Sequence, residues 1–234
     1  MMETLYQYLL VWILFWLVGW SGAYLIPRKR FDYIKNYLTV SVYFFIISAG
    51  ILYSYKDITY PMLTSITIFP FAILVLFFLI NFLSYYFSNN FLKRPVELLG
   101  KYSGVDFLKL DYRYLMSKSF EILYQQVLII VLVLMLHSFG LNLFYITIIF
   151  AIMFGFGHLP AFKFHKDIFG LIIFIAALSS SFLFPYLILN FKYGFIYTYI
   201  AHWLFYSNTG ILFWLLNQKS ADKIKEIVIK PLMK

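Results

Sequence analysis

Runs of about 20 apolar residues recur from one end of this chain to the other, and that repetition leaves few folds open. Such a run is the length an α-helix needs to cross roughly 30 Å of hydrocarbon. Backbone N–H and C=O groups in lipid must be satisfied within one helix or around a closed barrel. The runs lack the period-2 alternation of barrel strands, so helices remain. Composition agrees, because 63% of the 234 residues are hydrophobic and only 12% are charged, against about 25% charged in an ordinary soluble domain. The chain therefore reads as an all-α, polytopic membrane protein, a single membrane domain over 1–234.

Seven spans are expected, over roughly 4–26, 36–55, 61–88, 116–138, 141–160, 168–190 and 193–217. An odd number puts the termini on opposite sides. With the N-terminus outside and the C-terminus cytosolic, 17 of the 19 basic residues fall inside, leaving Lys56 and Lys192 outside. That distribution obeys the positive-inside rule. The net charge of +9 is then a topology signal and an attraction to anionic lipid headgroups. Membrane lipid is an expected partner and nucleic acid is not. The first run is too long for a cleaved leader, and Ile26-Pro27-Arg28 is a poor cleavage context. The expected location is a prokaryotic plasma membrane. The chain has no cysteine, which removes disulfides, thiol catalysis and cysteine-based metal sites.

The longest polar connection, 89–115, mixes charges with Phe107, Leu108 and Leu110. Its Pro95-Val96-Glu97-Leu98-Leu99 stretch fits either a short helix in the inner interface or a solvated loop with anchoring hydrophobes. The tail over 218–234 interleaves Ile224, Ile227, Val228 and Leu232 with lysines and reads as a short amphipathic helix. The helices that carry the candidate chemistry lie within about 115–217.

Of the ten acidic residues, only Glu121 falls inside a membrane-length apolar run. An intramembrane carboxylate costs from about 2.5 to over 10 kcal/mol, depending on how it is measured, and points to function. In Lys118-Ser-Phe-Glu-Ile-Leu-Tyr-Gln-Gln126, Glu121 and Gln125 share one helical face with Gln126 close beside it. Glu121 lies about 5 Å inside Lys118, so a snorkelling carboxylate or a Lys118 ion pair is the plain structural alternative. His158 closes the fifth span in Phe154-Gly-Phe-Gly-His-Leu-Pro160, in the same leaflet as Glu121. His202, in Tyr199-Ile-Ala-His-Trp-Leu-Phe-Tyr-Ser-Asn208, counts as deeper. His137 fits contact with outer headgroups, and His165 fits a solvated inner loop. A carboxylate with one or two imidazoles in a dry cavity can activate water and hold an oxyanion. The same groups could ligate zinc, but no HExxH helix is present and the metal reading is disfavoured.

These residues, in this order, resemble the CPBP family of intramembrane endopeptidases, which includes the type II CAAX prenyl proteases and bacteriocin-immunity-type membrane proteins. The family motifs are EExxxR, FxxxH and HxxxN, each on its own helix, and the resemblance covers roughly 115–215. Phe120 stands where the first acid belongs, Glu121 on the second, and Gln125 on the arginine. Phe154 and His158 complete FxxxH. His202 keeps the third motif's histidine, with Tyr206 in place of asparagine and Asn208 two residues late.

The resemblance implies peptide-bond hydrolysis in a membrane-embedded or lipidated peptide or protein. Glu121 would activate water, His158 would assist, and His202 with Tyr206 or Asn208 would hold the oxyanion; Gln125 and Phe154 would support them. No cofactor is implied. Two alternatives remain: a non-catalytic member binding a membrane partner in immunity or sorting, and a proton-coupled transporter using Glu121 as relay. Against the transporter stand the unequal spans and the apolar outer half of the fourth span.

Overall fold

A computed structural model describes residues 2–25, 31–64, 67–102, 105–159 and 168–218. Every regular element among them is helical. The long helices are α1 (Met2–Leu25), α2 (Tyr37–Ser54), α4 (Ile68–Phe91), α6 (Tyr112–Ser138), α8 (Ile168–Asn190) and α9 (Gly194–Leu216). Shorter ones are α3 (Lys56–Thr64), α5 (Val96–Lys101) and α7 (Leu143–Phe150). Tight 3₁₀ turns cover Asp106–Lys109 and Phe156–His158.

Five helices, α1, α2, α4, α6 and α8, are long and apolar enough to cross a membrane. Leu143–Gly155 is apolar but shorter. Helix α9 is long enough, but Thr198, His202 and Asn208 interrupt its apolar run. Among the described residues, length and apolarity thus mark these five helices as candidate crossings. The run expected as one span over 61–88 is also divided, because α3 ends at Thr64 and α4 begins at Ile68. Lys163, His165, Lys166 and the tail from 219 lie outside the described residues.

Helix α6 is the axis of the bundle. Its seven consecutive residues Val127 to Val133 are all buried, as expected of a helix apolar on every face. Helix α2 lays Val40, Phe44, Ile47 and Ile51, spaced by three and four, into the same core as Val127 and Val131. The Trp12 indole of α1 donates to the Leu128 carbonyl at 2.8 Å. In lipid this association comes from close packing and such hydrogen bonds, because bilayer tails are as apolar as the helix faces they replace. The outward faces of α4, for example Phe71, Leu79 and Phe87, stay exposed.

The connection from α4 to α6 does more than anchor. Phe107, Leu108 and Leu110 are buried, and the Trp214 indole donates to the Leu108 carbonyl at 2.7 Å. The approach is close enough that a Cβ on Gly210 would stand 2.7 Å from the Phe107 carbonyl oxygen. This segment packs against the end of α9 and fixes where that helix sits.

Candidate functional site

The site forms where the first turns of α6 meet α9 and the end of the α7 segment. Asp111 starts α6 by accepting the Arg113 N–H at 2.8 Å as its N-cap. Burial pushes the Asp111 carboxyl up. Its bonds to the Arg113 side chain and backbone outweigh that and hold it below the ordinary carboxylate value.

Nearly three turns further in, Glu121 is 4% exposed, turned into the protein and away from lipid. Lys118 Nζ donates to both of its carboxylate oxygens at 2.8 Å, and Gln125 Nε2 donates to Oε1 at 2.7 Å. The Tyr33 hydroxyl, from the turn joining α1 to α2, faces the same carboxylate. Burial, reinforced by the Glu121 charge, pushes that hydroxyl far above its ordinary value, so it remains a donor. Lys118 Nζ also lies 4.3 Å from the centre of the Tyr206 ring, a cation–π contact.

Helix α9 runs antiparallel to α6, so His202 falls level with Gln126 rather than Glu121. Gln126 Nε2 donates to the Thr198 carbonyl at 3.3 Å and meets His202 Nδ1 at 3.0 Å. A carbonyl can only accept, which fixes the amide orientation and makes His202 Nδ1 the acceptor. The neutral His202 ring therefore carries its proton on Nε2. Tyr206 stacks on His202 with ring centres 5.9 Å apart, joining the imidazole to the ion pair.

His158 arrives by an irregular route. The expected continuous helix over 141–160 instead widens at Ala151–Gly155 into a single π turn, then tightens to 3₁₀. Such turns re-aim side chains and favour functional sites. Gly155 allows it, since a Cβ there would stand 3.0 Å from Ser181 Oγ on α8. His158 Nδ1 bonds the Phe154 carbonyl at 2.7 Å. That nitrogen must donate, which leaves the Nε2 lone pair of the neutral ring free to accept. Phe154 lies between the two imidazoles, 4.7 Å from the His158 ring centre and 6.5 Å from that of His202.

The structure thus gathers Glu121, Gln125, Phe154, His158, His202 and Tyr206 into one region, and it separates Asn208. Asn208 is exposed, because it sits two residues past Tyr206 and therefore on another helical face. Phe120, a residue before Glu121, lines a different cavity of about 560 Å³ with Phe78, Phe82 and Tyr199. Neither imidazole is a hydrogen-bond donor to Glu121 among the described residues; His158 lies within electrostatic range of the Lys118–Glu121 pair. Among those residues no cluster of three or more His, Asp or Glu could hold a metal ion. Two acceptors stay open, since buried Gln125 Oε1 and Gln126 Oε1 have no partner there.

Sequence reasoning did not find Tyr33, which lies 88 residues before Glu121 in a polar turn without a motif. Lys118 was visible three residues before Glu121 as a pairing candidate, though not as part of a functional set. Compared with family models, curated proteins and solved structures, the chain matches none.

Proposed function

We propose that this integral membrane protein is a divergent intramembrane endopeptidase of the CPBP kind, which hydrolyses a peptide bond in a membrane-embedded or lipidated substrate. The observation that carries the reading is the complementary tautomers of the two imidazoles, His158 with its lone pair on Nε2 and His202 with an Nε2–H donor, beside a buried carboxylate. His158 Nε2 takes a proton from water as its oxygen attacks the carbonyl carbon. His202 Nε2–H donates to the oxyanion, and His158 returns the proton to the leaving amine. Glu121 is already engaged by Lys118 and Gln125. Its part shifts from base to the negative charge that stabilises imidazolium as it forms.

The topology belongs to the same proposal: seven crossings with the N-terminus outside, Leu143–His158 and α9 supplying the two beyond the five apolar helices, in a prokaryotic plasma membrane. Because the chain has no native cysteine, single cysteines placed in each connection would report their side by reaction with an impermeant thiol reagent.

The activity test is a peptide library offered to purified protein in vesicles, with cleavage read by mass spectrometry. His158→Ala should lower the rate by about 10²–10⁴-fold, the usual worth of a positioned acid–base group. Equal cleavage by wild type and His158→Ala ends this mechanism. Loss in Glu121→Gln with retention in His158→Ala would return the base role to Glu121.

One observation favours a second reading. A carboxylate held by a neighbouring ammonium and amide is also what a purely structural ion pair looks like, and a non-catalytic partner-binding protein needs no more. That reading expects Glu121→Gln to leave the cellular role intact.

A further inference from the structure

Lys118 is itself buried. Its ammonium contacts both oxygens of Glu121 and the Tyr206 ring. Groups facing Glu121 are Lys118, Tyr114, Tyr124 and Gln125 on α6, Tyr33 from the α1–α2 turn, Tyr206 on α9 and His158 from the 3₁₀ turn. Among these described residues Lys118 is the only permanent cation. Gln125 and Tyr33 can hydrogen-bond a neutral carboxyl as readily as an ionised one. A single ammonium aimed at both oxygens is satisfied only by the ionised form, since a protonated carboxyl would direct its O–H against an N–H donor.

We propose that Lys118 is a positioning residue that holds Glu121 as a carboxylate inside the membrane. The role rests on the reading of this pocket as hydrolytic, yet its physical content can be measured without any substrate. Without Lys118 a lone buried carboxylate neutralises by taking up a proton, and the charge that would stabilise the His158 imidazolium is lost.

Infrared spectroscopy of protein in vesicles at neutral pH reads this directly. The other nine acids lie in polar stretches or at the chain ends, so a protonated-carboxyl C=O band would belong to Glu121. Wild type should lack that band. Lys118→Met should show it, Lys118→Met/Glu121→Gln should lose it, and Lys118→Arg should restore the wild-type spectrum. A protonated band in wild type, or none in folded Lys118→Met, overturns the proposal. The wild-type spectrum suffices for the first outcome even where Lys118→Met does not fold. Absence of cleavage with the expected spectra would instead remove the hydrolytic reading and leave the role of Lys118 standing.

Discussion

Helix α6 has two halves that both face the protein interior and are chemically opposite. From Ser117 to Gln126 the polar side chains Ser117, Lys118, Glu121, Gln125 and Gln126 are almost entirely covered. From Val127 to Val133 no polar side chain occurs, and every residue is buried. The side chains of the apolar half are held by their packing, so each can be exchanged for another of similar volume. The polar half is held by pairings that work only as sets, and a set has no cheap single change. Burial thus tells where the bundle is dense, and unmet or mutually met polar groups tell where it is specialised.

The sharpest break of that contrast is Glu121→Ala, which leaves the Lys118 ammonium buried and unpaired. We expect a loss of about 3–5 kcal/mol, the usual consequence of removing one partner of a buried pair. Lys118→Met/Glu121→Gln should recover most of it, because neither charge is then stranded. Denaturation in mixed micelles, followed by tryptophan fluorescence, gives both values. In the apolar half Leu132→Ala should cost less, about 1–3 kcal/mol. The cavity term of soluble cores survives there, while much of the transfer term is absent in lipid. If Leu132→Ala cost more than Glu121→Ala in the same assay, the distinction between the halves would fail. Trp12→Phe removes one indole bond to Leu128 and should cost about 0.5–1.5 kcal/mol.

The same contrast explains what could be read from the sequence. Helices α1, α2, α6 and α8 start and stop within about four residues of the apolar runs, because length and hydropathy decide a crossing locally. The breaks at α3 and at the π turn were not legible, since they depend on what the backbone packs against, as at Gly155 and Ser181. Glu121 and His158 stood out as expensive residues at shared depth. Linear counting put His202 deeper than Glu121, and antiparallel packing pairs it with Gln126, five residues further along α6. Asn208 was drawn in by the motif and excluded by helical phase. Tyr33 could not have been found, because nothing in a polar turn announces a carboxylate 88 residues later.

The smallest expected effect lies just outside both halves, at the cap of α6. Asp111→Asn keeps an oxygen to accept the Arg113 N–H but loses the guanidinium pair, at 2.7 and 3.0 Å. Arg113 is 40% exposed, so the loss should be only a few tenths of a kcal/mol, roughly the worth of a solvated ion pair. The sign of its pH dependence is fixed by the lowered folded value of Asp111. Above the ordinary value of 3.8 the carboxyl is ionised both folded and unfolded, and the pair contributes in full. As pH falls below that value the unfolded chain takes up the proton first, and the contribution disappears as pH passes the lowered folded value. Asp111→Asn should therefore narrow the stability difference from wild type between pH 5 and acid conditions, whereas Trp12→Phe should leave that difference unchanged. A stability difference between wild type and Asp111→Asn that stayed constant through this range would show that the cap carries no net charge interaction.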